Sequence, residues 1–298
     1  MIAWKQLFAV SILCIVLGVF ALAAEPVAPS VRIAFFAEHE GGLHILDYAT
    51  GQIKQIDVGM LNVGDLVYSR KRNLLAFEGS KEHEEPQSLY ILDLRTNKKE
   101  RIFKATEDYE LYRPRFEPTG QFLYAVNYDK GIYRYSFTTK KWTSVPIIGS
   151  SSLNPQGLSF SKSGDKVALS PGNFQGFLVG NVKDGTIIIK EHVLADFSCI
   201  SPRWAGENDL IFAGRRAAGL QFIWKYDLAT KKITQLSQPP IGSRDFLDLS
   251  NDERTIVFTG TSEKLEWRLW KIAIDGSDLK LLTRGGELSS HLSPVWIE

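Results

Sequence analysis

A repeat that stops after its first strand constrains this chain most. The segment from Ser201-Pro202-Arg203-Trp204 to Leu236 reads as four consecutive extended elements. Ser-Pro-Arg-Trp enters one, Ala205 to Asp209 turn it, and Leu210-Ile211-Phe212, Phe222 to Leu228 and Lys232 to Leu236 supply three more. The same phrase recurs as Arg113-Pro114-Arg115-Phe116 with Phe122 to Val126, and again as Ser293-Pro294-Val295-Trp296, after which almost nothing follows. A unit cut short at its first strand has to be completed elsewhere in the chain.

The end of each second strand falls at Phe35, Phe77, Ala125, Leu169, Phe212 and Phe258, at steps of 42 to 48 residues. A period of about 45 residues with four strands each is that of a propeller blade. The third strands alternate with period two and are β-branched or aromatic, as in Ile223-Trp224-Lys225-Tyr226-Asp227-Leu228, which rules against a helical solenoid of similar period. Thr50-Gly51, Thr96-Asn97, Asp184-Gly185, Thr230-Lys231 and Asp275-Gly276 follow as hairpin turns. The first unit begins at Ile33 without a first strand, and Pro294 to Ile297 would supply it. Closing the ring in this way removes exposed sheet edges and gives about six blades, so the expected fold is all-β, a six-bladed propeller of four-stranded blades.

Residues 1 to 31 differ in kind. Lys5, an uncharged apolar run and Ala21-Leu22-Ala23 read as a secretory signal peptide over residues 1–23, followed by a linker at 24–31 and the propeller at 32–298. An uncleaved membrane anchor is the alternative. Cys14 would leave with the leader, so Cys199 remains alone and no disulfide forms within the chain. No Asn-x-Ser/Thr site is present, and export without disulfides or glycan sites points to a bacterial periplasm. Lysine plus arginine (35) nearly balance aspartate plus glutamate (34), so no global field favours nucleic acid.

The run from Ser201 to Ser237 and its relatives resembles the blades of the TolB-type β-propeller family, whose repeats carry a Pro-x-Trp-Ser-Pro-Asp-Gly opening and an Ile-Ala-Phe second strand. The resemblance covers residues 32 to 298, without the additional N-terminal α/β domain of TolB. It implies a β-propeller over that length.

Catalytic motifs are scarce. No Gly-x-Ser-x-Gly elbow appears, which excludes a hydrolase of the prolyl-oligopeptidase type, and no Gly-rich phosphate loop is present. His39 and His83, each flanked by glutamates in neighbouring loops, could join a metal site but read as acidic loop tips. Asp275-Gly276-Ser277-Asp278 reads as a turn, not a calcium loop. Neither cofactor, metal nor catalytic residue is expected. The candidate partner-binding residues are Asp65, Tyr112, Arg113, Asp196, Arg244, Asp245 and His291, placed at the connections that lead into each blade. Arg113 leads them, because arginine beside tyrosine is a frequent interface anchor. The leading expectation is an exported binding module with a charged loop face for a protein or peptide partner. The alternative is a channel-based periplasmic hydrolase, lyase or dehydrogenase, with or without a metal, working through His291, Asp196 and Asp245.

Overall fold

The computed structural model describes residues 31–38, 42–82, 84–150, 154–216, 219–239, 241–261, 267–283 and 290–297. The described residues are strands, turns and bends without a helix, arranged as a β-propeller. Sheet 1 runs in the order His291–Ile297, Arg32–Ala37, Leu43–Asp47, Ile53–Ile56. Sheet 2 is Asn62–Ser69, Leu74–Ser80, Ser88–Asp93, Lys98–Phe103. Sheet 3 is Tyr112–Phe116, Phe122–Asn127, Gly131–Ser136, Lys141–Ser144. Sheet 5 is Gly242–Leu249, Thr255–Thr261, Trp267–Ala273, Lys280–Leu281.

Sheet 4 is larger because one strand, Thr186–Ala205, is 20 residues long. Its first part pairs with Gln175–Lys183, beyond which lie Lys166–Ser170 and Gly157–Phe160. Its last part pairs with Asp209–Arg215, which leads to Phe222–Asp227 and Ile233–Gln235. The strand thus closes a proximal half and opens a distal half. The repeat motif predicts a strand that starts at Ser201, whereas Ser201-Pro202-Arg203-Trp204 ends this long one. No Gly or Pro stands between Thr186 and Ser201 to end the strand, which continues through a break at Leu194, in the left-handed region at φ 56°, where its register against Gln175–Lys183 shifts.

The orphan strand completes sheet 1 as the repeat requires: Ile33 stands opposite Trp296 and Arg32 opposite Ile297. The second-strand markers Phe35, Phe77, Ala125, Leu169, Phe212 and Phe258 are all buried. Aromatic side chains tie neighbouring units: Trp142 Nε1 of sheet 3 donates to the Ile102 carbonyl of sheet 2 at 2.9 Å, and Trp204 Nε1 in the distal half of sheet 4 donates to the Ser159 carbonyl in its proximal half at 3.0 Å. The hairpin at Asp275 is a side-chain-capped turn, with Asp275 Oδ1 accepting from Ser277 N at 2.9 Å and Gly276 at φ +88°.

One irregularity recurs and positions the site. The innermost strands shift register between Val63 and Leu66, Tyr112 and Arg115, Ile200 and Arg203, and Ser243 and Leu247, and sheet 1 does so opposite Ala34 and Phe36. Each shift is a bulge. Where the repeat carries its proline, the residue before it sits in the left-handed region: Arg113 at φ 52°, Ser201 at 51° and Ser293 at 51°. The Ser-Pro-like motif is therefore a bulge signal, and the bulge sets the residues on either side of the proline toward the ring's axis.

Candidate binding site in the central channel

Superposing the inner strands by their pairing partners gives two columns of axis-lining residues. Asp65, Arg113, Gly157, Ser201, Phe246 and Ser293 form one. Val67, Arg115, Ser159, Arg203, Asp248 and Val295 form the other. Side chains alternate along a strand, so these positions share a face while the proline between them points away. Charge is concentrated in a few sheets, and the contacts cross the axis.

Arg115 Nη2 meets Asp65 Oδ2 at 2.9 Å, and both side chains are buried. Its Nη1 donates to the Pro114 carbonyl at 2.6 Å. Arg203 repeats this fold-back, with Nη1 donating to the Pro202 carbonyl at 3.0 Å, and its Nε lies 3.5 Å from Asp248 Oδ1. Asp248 is held from sheet 1 as well, because the Trp296 backbone N–H donates to its Oδ2 at 3.0 Å.

Glu78, on the second strand of sheet 2, accepts from the Arg113 backbone N–H at 2.5 Å. Gly64 makes the space for it: a Cβ there would come within 2.7 Å of Glu78 Oε2. Burial, together with the neighbouring Asp65, pushes the Glu78 carboxyl up to about 7 despite the opposing pull of Arg113 and Arg115. Burial also raises Asp248, against Arg203, and lowers Arg203 to about 10, with Arg115 adding like-charge repulsion.

Arg113 spans the channel from sheet 3 to the distal half of sheet 4, where its Nη1 donates to Ser201 Oγ at 3.3 Å. The proximal half between them carries glycine at the equivalent place, and a Cβ on Gly157 would stand 3.5 Å from Arg113 Cδ. Beside it the Tyr112 and Tyr128 rings stack at 4.5 Å and 5°. Burial raises both tyrosines, and a hydrogen bond from Arg113 opposes the rise at Tyr128.

The structure thus brings Asp65, Tyr112 and Arg113 together at one end of the channel. It separates the others. Asp196 is exposed on the long strand of sheet 4. Arg244 and Asp245 fall in the bulge of Gly242–Leu249, and their side chains lie outside the described residues. His291 is 4% exposed, its Nδ1 is 2.7 Å from Thr283 Oγ1, and its ring packs on Phe35 at 4.9 Å. That histidine belongs to the core between strands, not to the loop face expected from the sequence, because it opens the closing strand one pairing away from Phe36. His39 and His83 lie outside the described residues. Among the described residues no group of three or more His, Cys, Asp or Glu could hold a metal ion.

Sequence reasoning missed Glu78, Arg115, Arg203 and Asp248. For the two arginines the signal was present in the repeat itself: a charged residue directly after the proline, twice, in strands that are otherwise apolar. A cavity of about 310 Å³ adjoins Arg203 and Asp248, walled by Tyr68, Phe160, Trp204 and Trp296. It opens among the first-to-second-strand hairpins, the end of the ring opposite the connections that the sequence singled out.

No family model and no curated protein matches the chain by sequence. Solved structures do. TolB from Acinetobacter baumannii superposes with a TM-score of 0.70 at 16% identity, over 89% of this chain. The match spans 66% of that protein's length, just short of two thirds. A putative 6-phosphogluconolactonase from Bacteroides uniformis matches at TM-score 0.56 and 10% identity, covering 91% of this chain and 100% of the other. The GH74 xyloglucanase from Xanthomonas campestris matches at 0.57 and 12%, covering 85% and 43%. Proteins with such different names share the scaffold, so the scaffold does not choose the activity. The chain carries the β-propeller fold found in TolB.

Proposed function

We propose that the ring has six blades, the two halves of sheet 4 counting as one each, and that it is an exported, non-catalytic binding module. In this reading residues 1–23 direct export to a bacterial periplasm. The ring then presents its inter-blade connections to a protein or peptide partner of the cell envelope. The observation that carries the reading is the fixed posture of Arg113. Its backbone N–H is tied to Glu78, its guanidinium to Ser201, and its stem passes over Gly157 beside the Tyr112–Tyr128 stack. An arginine whose rotamer is already set loses little entropy on binding, and arginine with tyrosine is the pairing that dominates interface energetics.

The test is in-cell crosslinking followed by affinity capture of the tagged chain from periplasmic and membrane fractions. Arg113→Gln is the better variant than a charge reversal, since a glutamate there would face Glu78 and Asp65. One near-stoichiometric protein should be recovered with the wild type and fall at least about tenfold with Arg113→Gln, a hot-spot loss above ~1.4 kcal/mol. Undiminished capture by that variant would remove Arg113 from the interface.

A further inference from the structure

The second end of the channel carries chemistry that a partner on the connection face does not use. Arg203 lines the hairpin-end cavity with its side chain 12% exposed. One terminal nitrogen is committed to the Pro202 carbonyl, and Nε sits 3.5 Å from Asp248, beyond a good hydrogen bond. Its Nη2 has no hydrogen bond among the described residues. The carboxylates nearby are engaged: Asp248 accepts from Trp296 N at 3.0 Å, and Glu253 at the rim faces Lys162 at 3.5 Å. Lining hydroxyls are engaged as well, Ser250 Oγ donating to Asp252 at 2.6 Å.

Arg203 lies under the like-charge repulsion of Arg115, and Asp248 is the carboxylate that faces it at the cavity. At the rim Lys162 is matched by Glu253. An anion at the open edge of Arg203 would relieve the repulsion from Arg115 and gain charge-assisted hydrogen bonds from a guanidinium already turned by Pro202. The walls are aromatic, and a volume of about 310 Å³ suits a few carbons behind the charged group.

We propose that this cavity binds a carboxylate, presented by a small organic acid or by the C-terminus of a peptide, on the open edge of Arg203. The site is separate from the Arg113 face and does not depend on that reading. Trp204 and Trp296 line the cavity, so intrinsic fluorescence reports occupancy directly.

The experiment titrates the mature chain with succinate, tri-alanine and tri-alanine amide at matched ionic strength, following tryptophan fluorescence and the melting temperature. Saturable binding is expected for succinate, for tri-alanine, or for both, with a rise in Tm because only the folded state holds the ligand. The amide should not bind. Succinate alone would identify a free acid as the source, and tri-alanine alone a peptide terminus. Arg203→Gln should weaken binding at least about tenfold, the loss of a charge-assisted hydrogen bond. Asn251→Trp, at an exposed hairpin position on the rim, should block the cavity while leaving the core alone, and it decides the matter if Arg203→Gln fails to fold. Absence of saturable binding by both carboxylates, equal binding of the amide, or binding unchanged in both variants would overturn the proposal.

Discussion

Arg115 and Arg203 hold the same place in the repeat, and each folds its guanidinium back on the carbonyl of the proline before it. Their surroundings part company from there. Arg115 meets Asp65 at 2.9 Å with side-chain exposures of 7% and 6%, whereas Arg203 meets Asp248 at 3.5 Å with 12% and 22% and borders a cavity. One repeat position has become a plug and the other a wall of a pocket. Repetition fixes the backbone at the axis, while the neighbouring sheets decide what the side chain there can do.

Removing each arginine in turn tests the difference most strongly. Arg115→Met would strand Asp65 as a buried carboxylate with its ion partner gone, and a loss of about 3–5 kcal/mol in denaturant unfolding is expected. Arg203→Met leaves Asp248 its Trp296 N–H bond and some access to solvent, so the loss should be roughly half as large or less. Equal losses would erase the distinction between plug and wall. A double replacement of Asp65 and Arg115 by apolar residues should recover much of the stability, since the burial penalty goes with the pair.

The next largest effect is a matter of pH. A carboxyl held near 7 in the folded state, against an ordinary 4.5, binds its proton more tightly when folded than when unfolded. Its contribution to stability is complete below about pH 4.5 and is lost as the pH rises through 7. Glu78 should therefore cost the protein up to roughly 3 kcal/mol between pH 5 and 8, because each tenfold difference in proton affinity between the two states is worth about 1.4 kcal/mol. Glu78→Gln keeps an acceptor for the Arg113 N–H and should remove Glu78's part of that slope, leaving the same-signed part that belongs to the raised Asp248. A slope unchanged in Glu78→Gln would place the titration elsewhere.

How much of this could be read from the sequence follows the same division. The period of the strands, the missing first strand at Ile33 and its completion by Pro294 to Ile297 were legible because they rest on local alternation and turn chemistry, which every unit repeats. Arg113, Tyr112 and Asp65 were legible as candidates because the chain enters each sheet there. Glu78 was not, because it is a lone carboxylate inside the apolar run Leu74 to Ser80, and only the three-dimensional approach of Gly64 and Arg113 gives it a setting. His291 misled for the opposite reason. Preceded by the polar run Gly285-Gly286-Glu287-Leu288-Ser289-Ser290, it reads as a loop residue until the register sets it beside Ala37 and against Phe35.

The smallest effect concerns the glycine that lets Arg113 cross. A Cβ at Gly157 would make an ordinary contact with Arg113 Cδ at 3.5 Å, so Gly157→Ala should change stability by less than about 1 kcal/mol and leave partner capture intact. Valine puts a further methyl group where the arginine stem runs, and the Arg113–Ser201 bond at 3.3 Å, between a half-buried and a buried side chain, is too weak to resist. Valine also suits an extended backbone, which offsets part of that loss, so unfolding of Gly157→Val should remain within about 1 kcal/mol of the wild type. Partner capture should nevertheless fall, because Arg113 would swing away from Ser201 and have to be ordered again on binding. A Gly157→Val protein that is stable and captures its partner as well as Gly157→Ala would mean that the crossing posture of Arg113 belongs to the free ring alone, with the partner choosing another rotamer.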